Sequence, residues 1–410
     1  MVKIAVTIPT YWSWETGKNS LPEDSIFDHP TPLDKPGTLD RTLNSLKSLA
    51  GENAEGNFFV IIITAPVNKI IAKQVEHKVE KIIEKYRSVY PIAQFGPADL
   101  EYSKGILLKH QLNSDIISLD AYAQIRNCQL FSSAVLDADL IAAIDDDEVV
   151  PPNYLNKAVD FAGGKIAGER ADGIAGIYLN ASGDYRLKEP EGIRTSGNIF
   201  TKKAALMNDE FSRYMNSGTQ PVKSSVALGG NMVFTRELFL NVPFDPGITR
   251  GEDIDYLINS KMLKYNWFFD RDLFITHLPP DSSGKYHINT TPYAKLQQDI
   301  IRFIYEKEKI RLSSTNHTVL SIKAEDLGIY PGEFLKDSLK AQALEALREQ
   351  RPNNADERFF PKPEILLKQA EERAGKASEF FSFVDKWKET IDKASQIKEL
   401  KDYMKGKLDL

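Results

Sequence analysis

Hydrophobic and polar positions divide the chain into two parts with different rhythms. In the first part, short continuous apolar runs alternate with amphipathic stretches. Lys3–Ile8, Phe58–Ile63 and Ile92–Phe95 are such runs, the pattern of strands buried on both faces of a parallel sheet. Between them, Thr38 opens a helix with Leu39, Leu43, Leu46 and Leu49 on one stripe. Asn68–Tyr86 sets Ile70, Ile71, Val75, Val79, Ile82 and Ile83 against a charged, solvated face. Pro9 and Thr10 are expected to stop the first strand. That leaves Tyr11, Trp12 and Trp14 in the following loop, where their rings either stack on a base or sugar or cover the sheet edge. Glu15–Gly37 reads as a long polar loop.

Further along, Leu119–Leu136 predicts a helix and Leu140–Ile144 another buried strand. Gly173–Tyr178, Ser225–Phe234, Trp267–Phe269 and Leu273–Thr276 are strand-like. Leu179–Val226 is a polar excursion, and Thr235–Leu240 a short capped helix. This alternation predicts an α/β fold, a mostly parallel central sheet flanked by helices. From Lys285 the composition changes. Pro292–Lys309, Pro331–Glu349, Pro361–Arg373 and Lys376–Lys407 are Lys-, Glu- and Ala-rich and read as helices. Residues 1–284 are therefore expected to form the α/β domain and residues 285–410 a helical C-terminal region, with a surface suited to acceptor contacts or homo-oligomerisation.

The 410 residues carry a formal net charge of -6, which gives a nucleic-acid partner no electrostatic support. A single cysteine, Cys128, excludes an internal disulfide and suits a reducing compartment. No apolar run approaches the roughly 20 residues that span a bilayer, and the N-terminus lacks a signal-peptide pattern. A cytoplasmic protein without a transmembrane segment is expected.

Candidate chemistry concentrates after Leu140–Ile144, where Asp145, Asp146, Asp147 and Glu148 follow one another. Ligands of open α/β sheets bind at the carboxyl ends of the strands. A divalent cation held by carboxylate oxygens would relieve the repulsion there; an acidic, solvated turn is the plainer reading. Arg126, inside a mainly apolar helix, needs an anionic partner, either the acidic loop or a diphosphate. Gly229-Gly230 allows close backbone approach or a bulge. Gly251 precedes Glu252 and Asp253 at a helix start, where acids suit the helix dipole but also serve as a general base. His277 follows the last strand as a candidate metal ligand. No Gly-x-Gly-x-x-Gly or Walker loop follows the first strand, which argues against a dinucleotide cofactor.

Taken in order, Ile8-Pro9-Thr10-Tyr11, Ala123–Ala134 with Arg126-Asn127, Ile144–Leu155, Gly229-Gly230-Asn231-Met232, Gly251-Glu252-Asp253 and His277 resemble a GT-A-fold glycosyltransferase of the large family 2. The resemblance covers roughly residues 1 to 280. It implies a Rossmann-like fold, a nucleotide-diphosphate sugar donor, a hydroxyl acceptor and Mg²⁺ or Mn²⁺. It also implies Asp145 and Asp147 as the Asp-x-Asp pair, with Asp147, Asp145 and His277 on the metal and Asp145 also near the ribose or donor sugar. Pro9, Thr10, Tyr11, Arg126, Asp146, Gly230 and Asn231 would line the donor. Asp253 would be the base of an inverting reaction, with Glu252 its understudy. Thr-Tyr-Trp-Ser-Trp and the long insertion depart from the pattern. The Gln-x-x-Arg-Trp motif of membrane-bound processive members is absent. A retaining transferase of the mannosyl- or glucosylglycerate synthase type stays open, as does a non-catalytic cation- or glycan-binding protein.

Overall fold

The computed structural model describes residues 2–18, 21, 23–50, 58–280 and 291–409. The strands of its first half are β1 (Ile4–Ser13), β2 (Thr31–Pro32), β3 (Phe58–Pro66), β4 (Ile92–Phe95), β5 (Leu140–Ala143) and β6 (Glu148–Val149). Then follow β7 (Lys165–Ile166), β8 (Glu169–Arg170), β9 (Gly173–Leu179), β10 (Val222–Lys223), β11 (Met232–Thr235) and β12 (Trp267–His277). Along the main sheet the order is β10-β12-β9-β11-β5-β1-β3-β4, with β2 paired to β1 and β6 to β12. β4, β3, β1 and β5 run parallel, as does β9 with β12, while β11 is antiparallel to both its neighbours. The apolar runs are the buried centre of this sheet, and β3 is buried along its whole length. The α/β architecture with a mainly parallel sheet and a helical C-terminal region is the one expected.

β1 passes straight through Pro9, against expectation. Ile144 N–H donates to the Thr7 carbonyl at 3.1 Å, so the odd-numbered positions of β1 turn their backbone groups toward β5. The β1–β5 ladder ends at Thr7 and Ala143, so the missing N–H of Pro9 meets no partner strand there. On the other side, β1 stays paired with β3 as far as Trp12. Tyr11 and Trp12 therefore sit on a strand rather than a loop.

The helices up to the sheet's last strand are α1 (Leu39–Leu46), α2 (Ala72–Ile83), α3 (Pro97–Lys109), α4 (Tyr122–Val135), α5 (Tyr154–Asp160), α6 (Lys203–Met215), α7 (Arg236–Asn241) and α8 (Glu252–Met262). Beyond it lie α9 (Pro292–Ser313), α10 (Leu339–Gln350), α11 (Pro363–Ala374), α12 (Glu379–Ala394) and α13 (Lys398–Lys407). α3 lies in a segment whose pattern gave no prediction, and α6 lies inside the polar excursion. Ser225–Phe234 yields only β11, because the backbone turns through Gly229 and Gly230 first. Trp267–Phe269 and Leu273–Thr276 form one strand with a register shift between Phe269 and Phe274. Lys376–Lys407 forms two helices, not one. Thr235 caps α7 as expected, accepting the Leu238 N–H.

The expected boundary between residues 284 and 285 lies outside the described residues. The C-terminal helices share one hydrophobic core with the sheet, its members ranging from Ile4 to Leu408. Trp387 on α12 is fully buried and donates its indole N–H to the Phe239 carbonyl of α7 at 3.1 Å. α13 clamps the β4 edge: Lys407 Nζ reaches the Gln94 carbonyl at 2.8 Å, and Tyr403 donates to Asp99 of α3 at 2.6 Å. Among the described residues no helix is long and apolar enough to cross a membrane.

Candidate active site

The carboxyl edge of β5 gathers side chains from separate segments of the chain. After Ala143 the chain turns through the acids and returns as β6, which pairs with the end of β12 and sets Glu148 opposite His277. That pairing brings His277 Nε2 to 3.2 Å from Asp147 Oδ2. Burial alone would lower the His277 pKa, but the Asp147 hydrogen bond and charge outweigh it and hold the imidazole above its ordinary value. Asp147 and His277 both keep solvent access, at 15% and 38% of their side-chain surface. They are therefore able to turn toward a ligand.

Asp145 faces the other way. Its Oδ1 accepts from Arg126 Nη2 at 2.8 Å, and Arg126 Nε lies 3.5 Å from Glu252 Oε1. Arg126 is almost completely buried, so these two carboxylates answer the need for an anionic partner. Asp145, expected as a metal ligand beside Asp147 and His277, is thus held by the guanidinium. Among the described residues, no three His, Cys, Asp or Glu side chains are gathered into a ready cation site. Only Asp147 and His277 of the expected three come together.

Asp146 is tied into the wall: Thr10 Oγ1 donates to its carboxylate at 2.6 Å, and Thr42 Oγ1 to its carbonyl at 2.8 Å. Burial pushes its carboxyl up to about 8, against the Thr10 hydrogen bond. Burial also raises Asp145, with Arg126 opposing, and it raises Glu148 further, with the charges of Asp145 and Asp147 adding to the effect. Such crowding is what a bound cation would relieve.

Glu148 is a site residue that sequence reasoning left off its ligand set. It is fully buried, its Oε2 accepts the Asp145 N–H at 2.7 Å, and its Oε1 has no hydrogen-bond partner. It lies against Gly230, where a Cβ would come within 2.2 Å of Glu148 Oε1. At Gly229 a Cβ would meet Arg126 Nη2 at 2.5 Å. The glycine pair is therefore required by close approach, with no bulge involved. Gly230 N–H donates to Tyr178 Oη at 2.5 Å, and the Tyr178 ring stacks on His277 at 5.3 Å between centroids.

Asn231 does not line the site. Its amide donates to the Ile177 and Leu273 carbonyls at 3.1 and 3.0 Å and accepts from Tyr154 at 3.0 Å, bracing β9 and β12 from a fully buried position. Pro9 is buried in β1 beside Thr10. Tyr11 packs between Phe27 and Tyr122, at 4.7 and 5.1 Å between centroids, and its hydroxyl is buried without a partner. Trp12 is fully buried and bonds Thr10, and Trp14 bonds Asp24. Tyr11, Phe27 and Tyr122 thus form one aromatic cluster, to which the insertion contributes Phe27.

Gly251 starts α8 at φ 72°, with Arg302 packed where a side chain would be. Glu252 is buried against Arg126. Burial and the neighbouring Asp253 charge push its carboxyl up to about 7, and Arg126 opposes them. Asp253 accepts two backbone N–H groups, Gly229 at 3.1 Å and Ile254 at 2.8 Å. Its carboxylate is thereby fixed beside the glycine turn and Arg126.

No protein-family model matches the chain, and no curated protein matches it in sequence. Among the solved structures its fold is similar to are three glycosyltransferases. A mannosyltransferase, PcManGT from Pyrobaculum calidifontis in complex with GDP-Man and Mn2+, is 11% identical over 98% of this chain and 87% of that one, with a TM-score of 0.41. S. aureus TarS 1-349 in complex with UDP-GlcNAc is 14% identical over 96% and 92%, with a TM-score of 0.37. GalNAc-T7 with UDP, GalNAc and Mn2+ is 14% identical over 75% and 50%, also at 0.37.

Proposed function

We propose that the chain is a glycosyltransferase of the GT-A type, moving a sugar from a nucleotide-diphosphate donor to an acceptor hydroxyl. The observation that supports this reading is the convergence on one sheet edge of the acidic turn, buried Arg126, the glycine pair, Glu252-Asp253 and His277. Asp147 and His277 are the residues that would hold Mg²⁺ or Mn²⁺. A bound divalent ion would supply positive charge against the diphosphate leaving group. Arg126 fixes Asp145, whose outward oxygen is left to accept a donor hydroxyl. Thr10 and Thr42 hold Asp146 rigid below it. Glu148, through the Asp145 N–H, sets the shape of the turn.

In the inverting form, Asp253 takes the proton of the acceptor hydroxyl as that oxygen attacks the anomeric carbon. The two backbone N–H groups orient the carboxylate for this step. The same two bonds motivate the retaining alternative, in which Asp253 is a strut and removes no proton. Incubating the chain with UDP- and GDP-sugars plus Mn²⁺ and following nucleotide release tests the activity. NMR of the product's anomeric configuration separates the two forms. Turnover that survives in Asp147→Asn overturns the site assignment. A retained anomer, with Asp253→Ala still active, overturns the inverting form alone.

A further inference from the structure

Several cations of the polar excursion Leu179–Val226 are paired with nearby acids. Arg194 pairs with Glu189 and Asp209, Arg213 with Glu210, and Lys223 with Glu169. A different basic cluster stands next to the candidate base. Arg250, immediately before Gly251-Glu252-Asp253, and Lys295 on α9 both reach Asp28 Oδ2 at 3.2 Å. Asp28 comes from the insertion after β1, and its N–H donates to Tyr122 Oη. Each of the three side chains keeps about a quarter of its surface exposed, so solutes reach them: 25% for Arg250, 27% for Lys295 and 26% for Asp28.

The charges there do not balance. Two cations share one carboxylate, and Arg250 Nη1 is buried with no hydrogen-bond partner. The next acid along, Asp299, feels the Arg250 charge as well, but it makes no ion pair with Arg250: Lys203 bonds it at 2.7 Å and Arg302 lies at 3.8 Å. A guanidinium fork with an unused donor beside an ammonium matches a carboxylate or phosphate. The cluster adjoins the candidate site: Arg250 stands three residues before Asp253, and Tyr122, which takes the Asp28 N–H, packs at 5.1 Å between centroids on Tyr11, next to Thr10.

We propose that Arg250 and Lys295 bind an anionic group of the acceptor, a carboxylate or a phosphate, and that Asp28 occupies this subsite when the acceptor is absent. The inference rests on the transferase reading, since it names the acceptor class of that site. It makes the insertion a competitor that the acceptor must displace.

The test is a metal-free thermal-shift titration with inorganic phosphate and, separately, acetate. The proteins are the wild type, Asp28→Asn, the double variant Arg250→Gln/Lys295→Gln, and Lys223→Gln as a distant control. Freeing the cations in Asp28→Asn should tighten anion binding about tenfold, the worth of one charge-assisted hydrogen bond. The double variant should weaken it by at least about tenfold on the same reasoning. Lys223→Gln should match the wild type, and whichever anion binds more tightly identifies the group. Equal midpoints in all four proteins would overturn the proposal. If the double variant does not fold, unchanged binding in Asp28→Asn alone overturns it. UDP and GDP with Mn²⁺ are run in parallel. A nucleotide response without an anion response sinks the acceptor subsite and leaves the donor reading standing; the reverse sinks the donor reading.

Discussion

Replacing Lys309 by methionine removes the ammonium that joins α9 to α8 and the segment before it through two buried acids. Lys309 Nζ on α9 lies 2.8 Å from Asp245 Oδ2 and 2.5 Å from Asp255 Oδ1 on α8, and all three side chains are 2% exposed or less. Methionine fills much of the same volume, so the loss is one of charge compensation. Breaking a buried pair from one side costs about 3–5 kcal/mol, because the surviving charge is left in a low-dielectric site. An unfolding entropy of about 2.1 cal/mol/K per residue gives a 410-residue chain roughly 0.86 kcal/mol/K, so Tm should fall by about 4–6 °C. Acidification has a further effect. Asp255, raised by burial to about 6 even with Lys309 beside it, should rise further in the variant. The variant should then recover part of the deficit as pH falls and the acids take up protons. Calorimetry on the wild type, Lys309→Met and Lys309→Met/Asp245→Asn/Asp255→Asn reads this directly, the triple variant regaining most of the loss. A Tm change under about 1 °C on this scale would refute the picture of a load-carrying buried charge cluster. So would a deficit that is the same at every pH.

Other expectations follow from single observations. Gly230→Ala drives a Cβ to within 2.2 Å of buried Glu148 and should cost about 1–3 kcal/mol, seen as a lower Tm with weakened nucleotide binding. Arg126→Met leaves Asp145 and Glu252 without their cation. Donor affinity should fall at least about tenfold by calorimetric titration, and unchanged affinity would remove Arg126 from the site. Glu306 is fully buried, and burial pushes its carboxyl to about 8 despite Arg302. The folded chain then binds more protons than the unfolded one between its ordinary value of 4.5 and about 8, so stability declines as pH rises through that interval. Glu306→Gln should flatten the decline in a Tm-against-pH series, and parallel curves would reject it.

The parts of this fold legible in the sequence are those fixed by local pattern. β3 and β5 are read from unbroken apolar runs, and α2 from its stripe, of which Val75, Val79 and Ile83 are buried; Ile70 lies before the helix and is exposed. What escaped depends on distant partners. α3 carries buried Asp99 and Ser103 on its inner face, polar positions that break the apolar stripe. Asp99 is tolerated because Tyr403 and Lys407, some 300 residues away, bond to it. Pro9 misleads in the same way, since its tolerance depends on where β5 stops pairing. At the site, the acids, Arg126 and His277 were visible as residue types, but which acid faces which cation was not. Asn231 sits beside the glycine pair in sequence, but its amide braces β9 and β12. Asp28 gave no local signal, since its meaning comes only from Arg250 and Lys295 meeting it across the fold.

The most direct test of the transferase account is nucleotide-diphosphate binding read by thermal shift, with and without Mn²⁺, on the wild type and on Asp147→Ala. A nucleotide at about 100 times its dissociation constant adds roughly 2.7 kcal/mol. With the entropy used above, that amounts to about 3 °C. The account predicts that one nucleotide gives this shift with Mn²⁺ and that the shift disappears in Asp147→Ala. No shift from any nucleotide at any metal concentration, or a shift that survives in the variant, would contradict it.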